Sequence, residues 1–187
     1  MDQLFEVLRD FVQLFERLDI TYAVMGGLAV RTYGIPRPTY DVDFTIAVLE
    51  SQWAEVVAAA QNLGYDVPEH QERGWLDQVA GMPMAKFHFF VEARKIDVDV
   101  FLAQSAFQSE LLKRRRREQI HNLALWMVTP EDLLLLKLIA SRPRDLADVA
   151  DVLFTQGQLD LAYLRTWADQ LRIRAELEKS LQSWSSP

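Results

Sequence analysis

The sequence predicts an α/β (α+β) protein, with a mixed sheet flanked by helices and a helical bundle at the C-terminus. Two observations predict it: short strand-like segments alternate with amphipathic segments up to residue 128, and every periodic segment after that is helical. At 187 residues, half of them hydrophobic, the chain can bury one sizeable core. We therefore divide it into a core over residues 1–128 and a helical region over residues 129–187 packed on that core.

Helices and strands alternate within the predicted core. Leu4, Leu8, Phe11 and Phe15 recur at helical spacing, which predicts an N-terminal helix with Asp2 as its N-cap. The segments that follow are predicted as a strand ending at the Gly26-Gly27 pair, a helix over 28–33, a strand over 40–48, a helix over 50–63, strands over 87–91 and 95–102 that turn around Ala93-Arg94, and a basic helix over 105–116.

The helical region begins after one more strand, predicted over residues 123–128. Thr129 is the expected N-cap of the next helix, Pro130 its first residue and Asp132 the acid of its first turn. A second helix is predicted from Pro143, and two more continue to about residue 181. The buried side of that second helix is assigned to Leu146, Val149, Ala150 and Leu153.

Composition excludes several classes of protein. The chain has no cysteine, which excludes disulfides, thiol nucleophiles and thiolate metal sites and is compatible with a reducing compartment. Its amphipathic, acid-containing N-terminus is unlike a signal peptide, and apolar runs such as residues 133–136 are far too short to span a bilayer. We therefore expect a cytoplasmic protein without a membrane partner.

The charge distribution bears on nucleic-acid partners. A formal net charge of −7 argues against non-specific nucleic-acid binding. The basic run Lys113–Arg117 is interpreted as a solvated helix face, with a patch for an RNA backbone as the alternative. His70, His88 and His121 lack ligand spacing, so a zinc site is not predicted.

Two aspartates share one face of the strand over residues 40–48. Side chains alternate along a strand, so Asp41 and Asp43 point away from the core face that carries Val42, Phe44 and Ile46. Their α-carbons lie roughly 6–7 Å apart. A divalent cation with oxygen ligands, typically magnesium, would neutralise two such charges. Solvated acids on an exposed strand are the alternative interpretation.

The same alternation recurs in the segment Lys95–Val100, where Asp97 and Asp99 occupy one face. Two such strands side by side would gather three or four carboxylates around one point. That concentration of like charge favours a metal-dependent phosphoryl-transfer site over a purely structural role.

Glycines precede the first acid pair. Gly26 and Gly27 follow a strand and open a helix, where backbone N–H groups can approach a phosphate closely. A plain tight turn is the alternative. Arg37 and Thr39 lie on the loop before Asp41 and are expected either to touch a triphosphate or to order that loop.

These motifs resemble a known superfamily. The pattern G-G-x-A-x(4)-G-x-x-R-x-T-x-D-x-D, over residues 26–43, resembles the nucleotidyltransferase fold of the DNA polymerase β type. The pattern T-P-E-D-L-x(3)-K, over residues 129–137, followed by R-D-x-x-D, over residues 144–148, is similar to the AbiEii-like branch, which includes toxins of toxin–antitoxin systems.

The resemblance implies roles for the first set of residues. Gly26 and Gly27 would cradle the triphosphate, with Arg37 and Thr39 among the nucleotide-binding residues, and Asp41 and Asp43 would hold magnesium. Many family members have a serine after the first glycine, so Gly27 removes one phosphate ligand here.

Further roles are implied for later residues. The third acid would be Asp99 or Asp97, and Asp99 is favoured because two apolar residues follow it, as in the family. Asp99 would also be a metal ligand, with Asp97 as a further candidate ligand, and Asp99 would help to deprotonate the acceptor hydroxyl. Lys137 would lie near the nucleotide phosphates, with Asp145 and Asp148 at the rim of the site.

The implied activity is transfer of a nucleoside monophosphate from an NTP to an acceptor hydroxyl, with two Mg²⁺ ions and release of pyrophosphate. The toxin-like resemblance implies an RNA acceptor, typically tRNA, and a cognate antitoxin partner. A small-molecule hydroxyl, as in antibiotic-modifying members, is the first alternative. A non-catalytic binding module or antitoxin of the same fold is the second.

Overall fold

The structure, a computed structural model, describes residues 3–72, 77–79, 81–91 and 94–185. The helices are α1 (Gln3–Arg17), α2 (Gly26–Tyr33), α3 (Glu50–Asn62), α4 (Glu69–Glu72), α5 (Ala106–Arg114), α6 (Pro130–Ala140), α7 (Pro143–Thr155), α8 (Leu161–Leu171) and α9 (Arg174–Ser185). The strands are β1 (Thr21–Met25), β2 (Asp41–Ala47), β3 (Asp77–Val79), β4 (Met82–Val91), β5 (Arg94–Leu102), β6 (Arg116–Ile120) and β7 (Leu123–Met127). Asp2 and Ala93, named above as cap and turn residues, lie outside the described ranges.

One mixed sheet organises these elements, in the strand order β3-β4-β5-β2-β1-β7-β6. The β2–β5 and β1–β7 pairs are parallel, and the remaining neighbours are antiparallel. The predicted α/β class is confirmed. The order places β2 and β5, which carry the two acid pairs, next to each other inside the sheet.

Helix α1 covers one face of the sheet. The rings of Phe11 and Phe15 lie 5.9 and 5.2 Å from the ring of Phe44, which alternates with Val42 and Ile46 on the buried face of β2. All three of these β2 side chains are fully buried, as the alternation predicted. Burying this face fixes the register of β2, because a shift of one residue would turn Asp41 and Asp43 into the core.

The basic run Lys113–Arg117 is not a single helix face. Helix α5 ends at Arg114, and the next residues form β6, a strand that the sequence did not predict. The guanidinium groups of Arg115 and Arg117 lie 4.6 and 5.4 Å from the ring centre of Trp126, and that of Arg114 lies 3.7 Å from the ring centre of Tyr163. These cation–π contacts hold the run against the protein. The prediction of a single helix face was therefore wrong, whereas Lys113, Arg116 and Arg117 are solvent-exposed as expected.

The C-terminal helices pack against α2. The side chains of Thr155 and Gln156 both donate hydrogen bonds to the carbonyl oxygen of Tyr33. The division of the chain at residue 128 stays a prediction. In the described ranges, no helix is long and apolar enough to cross a membrane.

Helix α7 begins at Pro143, as predicted, but its buried side differs from the prediction. Val149 and Leu153 are buried, whereas Leu146 is 43% exposed and Ala150 is also exposed. Two aspartates of this helix, described below, are buried instead because they have cationic partners. Apolar periodicity alone does not reveal buried ion pairs.

The start of α6 supplies a stability prediction. Thr129 Oγ accepts a hydrogen bond from the Asp132 N–H at 3.2 Å and donates one to Asp132 Oδ2 at 2.7 Å. Thr129→Ala should lower the free energy of unfolding by about 1–2 kcal/mol in urea titrations. Thr129→Ser keeps the hydroxyl group and should retain most of this stabilisation. Thr166→Ala, on the exposed part of α8, should change it by less than about 0.5 kcal/mol. Equal losses in the two alanine variants would contradict the capping role.

Candidate active site

A cavity of about 610 Å³ opens on the face of the sheet that α1 leaves uncovered. Its wall includes the N-terminus of α2, the ends of β2 and β5, the loop before β2, and the facing parts of α6 and α7. The predicted site residues that line it are Gly26, Gly27, Arg37, Thr39, Asp41, Asp43, Asp99, Lys137 and Asp145. Most of the candidates that the sequence singled out therefore meet in one place.

The parallel register of β2 and β5 aligns the two acid pairs. Asp43 lies beside Asp99, and Asp41 lies beside Asp97. Asp97 is engaged elsewhere: His88 Nδ1 and Lys95 Nζ lie 2.8 and 3.1 Å from its Oδ1. Of the two candidates for the third acid, Asp99 lies in the cavity wall, and Asp97 is not among the described residues that line it.

Glycines permit this gathering of acids. Gly26 has φ +62°, and a Cβ at this position would lie 1.8 Å from Asp43 Oδ2. A Cβ at Gly27 would lie 2.2 Å from Thr39 Oγ1. Gly27 also donates its backbone N–H to Asp43. The glycine pair is therefore required by the close approach of β2 and its loop, before any phosphate is considered.

Arg37 and Thr39 both order the loop before β2. Thr39 Oγ1 donates a hydrogen bond of 2.7 Å to Asp41 Oδ1, which orients that carboxylate. The Arg37 guanidinium makes a bidentate pair with Asp148, at 2.6 and 2.7 Å. Of the two roles left open for these residues, their contacts support the ordering of the loop.

Lys137 lies in a cluster of charges on the side of the cavity formed by α6 and α7. Its Nζ lies 2.8 Å from both Asp145 Oδ1 and Asp148 Oδ2, and Arg142 Nε lies 2.6 Å from Asp145 Oδ2. Both aspartates are only 1% exposed; Asp145 lines the cavity, and Asp148 is not among the described residues that line it. Although burial raises the pKa of Asp148, the hydrogen bonds from Arg37 and Lys137 hold it below its ordinary value.

Lys86, Arg142 and Tyr40 contribute to the site without a motif that marks them, and Arg144 belongs to the R-D-x-x-D pattern but was assigned no role. Lys86 on β4 is the register partner of Asp99, and its Nζ lies 2.5 Å from Asp99 Oδ1. Arg142 and Arg144 line the cavity from the start of α7, and Arg142 is 74% exposed. Tyr40, 76% exposed, lies between the ordered Thr39 and Asp41 and also lines the cavity.

Negative charge on the sheet face is only partly balanced. Burial, then the charges of Asp41 and Asp99, raise the pKa of Asp43 from 3.8 to about 7. In the described part of the chain, no three His, Asp or Glu side chains form a group placed to hold a metal ion. Magnesium, however, usually takes one or two carboxylates together with substrate phosphates. Asp41 and Asp43 fit that donor set.

The contact between Gly26 and Asp43 predicts a specific loss of stability. Gly64 also has a positive φ, +90°, but a Cβ there would meet nothing within 4 Å. Gly64→Ala should therefore lower the free energy of unfolding by the backbone strain alone, about 1–2 kcal/mol. Gly26→Ala should lower it by about 1–3 kcal/mol more, because the methyl group clashes with the carboxylate. Equal losses in chemical denaturation would contradict the close contact.

The raised pKa of Asp43 predicts a dependence of stability on pH. Between pH 3.8 and about 7 the folded protein holds a proton on Asp43 that the unfolded chain has lost, so this contribution destabilises the fold as pH rises. In the absence of metal, the free energy of unfolding of Asp43→Asn minus that of wild type should increase as pH rises through this window. The total increase should be about 2–4 kcal/mol. Urea titrations between pH 4 and 8 measure the difference, and a difference that stays constant would contradict the shift.

Solved structures with a similar fold include three relevant chains. An antigenic nucleotidyltransferase-like protein from Paracoccidioides brasiliensis is 20% identical, with a TM-score of 0.60 over 97% of this chain and 93% of its own. ANT(2")-Ia in complex with adenylyl-2"-tobramycin is 11% identical, with a TM-score of 0.60 over 94% and 99%. The lincosamide antibiotic adenylyltransferase LnuA, lincomycin-bound, is 14% identical, with a TM-score of 0.50 over 81% and 96%. At these identities the likeness establishes the fold.

A search of curated proteins gave no match. A family match covers nearly the whole chain but does not confirm the AbiEii-like branch. Residues 2–185 match the family described as "Nucleotidyltransferase of unknown function (DUF6036)", and the chain therefore belongs to this nucleotidyltransferase family.

Proposed function

We propose that this protein is a Mg²⁺-dependent enzyme that transfers a nucleoside monophosphate from an NTP to a hydroxyl group of a small molecule and releases pyrophosphate. The observation that carries the proposal is the register of β2 and β5, which brings Asp41, Asp43 and Asp99 to one cavity. Burial, followed by the charges of Asp41 and Asp99, raises the pKa of Asp43 and disfavours the ionised site without a cation.

The acids have different proposed roles. Asp41 and Asp43 would hold Mg²⁺, because Thr39 and Gly27 already orient them with neutral donors. When bound, the ion offsets the negative charge of the triphosphate as the phosphoryl group is transferred. Asp99, in the cavity wall, would accept the proton of the acceptor hydroxyl.

Cations and apolar groups divide the rest of the cavity. Lys137, Arg142 and Arg144 line it on the side of α6 and α7 and would meet the triphosphate. Leu133, Leu136, Ile139 and Phe101 supply apolar wall, and the exposed ring of Tyr40 offers a flat surface. A nucleotide has the same division between an anionic end and a flat base, so the lining supports nucleotide binding.

The acceptor is proposed from the surface around the site. Three arginines of the basic run Lys113–Arg117 contact other side chains: Arg114 stacks on Tyr163, Arg115 on Trp126, and Arg117 pairs with Glu16, whereas Lys113 and Arg116 are exposed. The net charge of −7 disfavours binding to an RNA backbone. ANT(2")-Ia and LnuA, which share the fold, were solved with an adenylylated aminoglycoside and with a lincosamide. Both observations favour a small-molecule hydroxyl.

RNA is the second candidate acceptor. The segments 129–137 and 144–148, which resemble the AbiEii-like branch, support a toxin that modifies tRNA and has an antitoxin partner. Part of this resemblance has a structural explanation: Thr129 caps α6, and Lys137, Asp145 and Asp148 form the buried charge cluster. Because these residues have a structural role, the motif is weaker support for an RNA acceptor, which the net charge of −7 also disfavours.

Transfer of a labelled nucleotide tests the proposal. The purified protein is incubated with Mg²⁺ and each of the four α-labelled NTPs, with aminoglycosides, lincosamides, total tRNA or no acceptor. Label should appear in a small molecule, and Asp41→Ala and Asp43→Ala should each reduce it by about 100-fold or more, because each removes a group that would hold the charge-neutralising ion. Asp169→Ala, an exposed acid of α8 outside the described cavity lining, should retain activity.

Three other results of the labelling assay would each contradict a different part of the proposal. Label in tRNA that depends on Asp41 and Asp43 would replace the small-molecule acceptor with RNA. Absence of label in every arm, with nucleotide bound, would leave the non-catalytic binding module as the better account. Label that persists in both variants would contradict the proposed roles of the two acids.

A further inference from the structure

Lys86 projects onto the acid-bearing face of the sheet. It is paired with Asp99 across the antiparallel strands β4 and β5, and directly opposed residues project to the same face. Its Nζ lies 2.5 Å from Asp99 Oδ1 and 3.7 Å from Asp97 Oδ2. The lysine therefore places a positive charge in contact with the third acid of the site.

The four acids on this face divide into two kinds. Asp97 and Asp99 both have cationic partners, because Lys86 contacts Asp99, and Lys95 contacts Asp97 at 3.1 Å. Asp41 and Asp43 form no ion pair within the described ranges, where their partners are the neutral hydroxyl and amide donors named above. The acids of β5 are thus in direct contact with cations, whereas Lys137 and Arg142 act on those of β2 only from beyond ion-pair distance.

We propose that the chain holds one divalent cation, at Asp41 and Asp43, and that Lys86 takes the place of a second cation at Asp99. The ammonium group lies against Oδ1 of Asp99, and a second cation bound to the same carboxylate would lie close enough for the two positive charges to repel each other. This inference rests on the proposed function, since the cation is shared with a bound triphosphate. It replaces the two-ion expectation drawn from the sequence.

Lys86 then acts as a positioning residue for the transfer step. In that step the acceptor oxygen forms a bond to the α-phosphorus and the bond to the bridging oxygen breaks. Pyrophosphate leaves with the electron pair, and the hydroxyl proton passes to the carboxylate of Asp99. The Lys86 contact holds that carboxylate on the cavity side of β5, so the lysine influences the reaction through Asp99 without touching substrate.

Counting bound Mn²⁺ tests the inference without requiring turnover. The full chain is titrated with Mn²⁺ in the presence of each α,β-methylene NTP analogue, and free Mn²⁺ is measured by electron paramagnetic resonance. Wild type should bind one Mn²⁺ per chain. Lys86→Met, which removes the charge and keeps much of the volume, should bind two, and adding Asp99→Asn should return the count to one.

Lys95→Met is the matched control, because Lys95 contacts Asp97 and Asp97 is outside the described cavity lining. It should keep a count of one, and unfolding curves should confirm that both lysine variants fold. Two ions in wild type, or one ion in Lys86→Met, would overturn the inference. No Mn²⁺ binding with any analogue would overturn both the proposed metal site and the count. Absence of transfer in the labelling assay, with the predicted counts, would contradict only the proposed function.

Discussion

Repulsion among carboxylates on one face of the sheet is the constraint on which the rest of the site depends. Asp43 lies against Gly26 and beside Asp99, and its pKa is raised by burial and by Asp41 and Asp99. Neutral donors from Gly27 and Thr39 offset only part of this charge. A carboxyl group in a cavity wall with a pKa raised this far is a candidate functional group.

The C-terminal helices complete the site by supplying charge of both signs. Lys137 of α6 is held by Asp145 and Asp148 of α7, and Asp148 also holds Arg37 on the loop before β2. One buried carboxylate thus links the loop that presents Asp41 to both helices. Movement of α7 would disturb that loop directly, because a bidentate pair keeps a defined geometry.

Patterns local to one strand or helix end could be predicted from the sequence, whereas pairings between elements could not. Alternation assigned Asp41 and Asp43 to the face opposite Phe44, and the capping pattern located the start of α6 at Thr129. A turn at residues 93 and 94 would have set His88 opposite Asp99, but Val91 pairs with Arg94, so Lys86 takes that position. A hairpin register depends on the turn, which the alternation does not fix.

The central claim is that Asp41 and Asp43 bind a divalent cation together with a triphosphate. A crystal structure with Mn²⁺ and an α,β-methylene NTP, measured at a wavelength where manganese scatters anomalously, tests it most directly. The account predicts an anomalous peak within ligand distance of both carboxylates and of the triphosphate oxygens, with the Lys86 ammonium still on Asp99. A triphosphate bound elsewhere, or a peak that lies away from both acids, would contradict it.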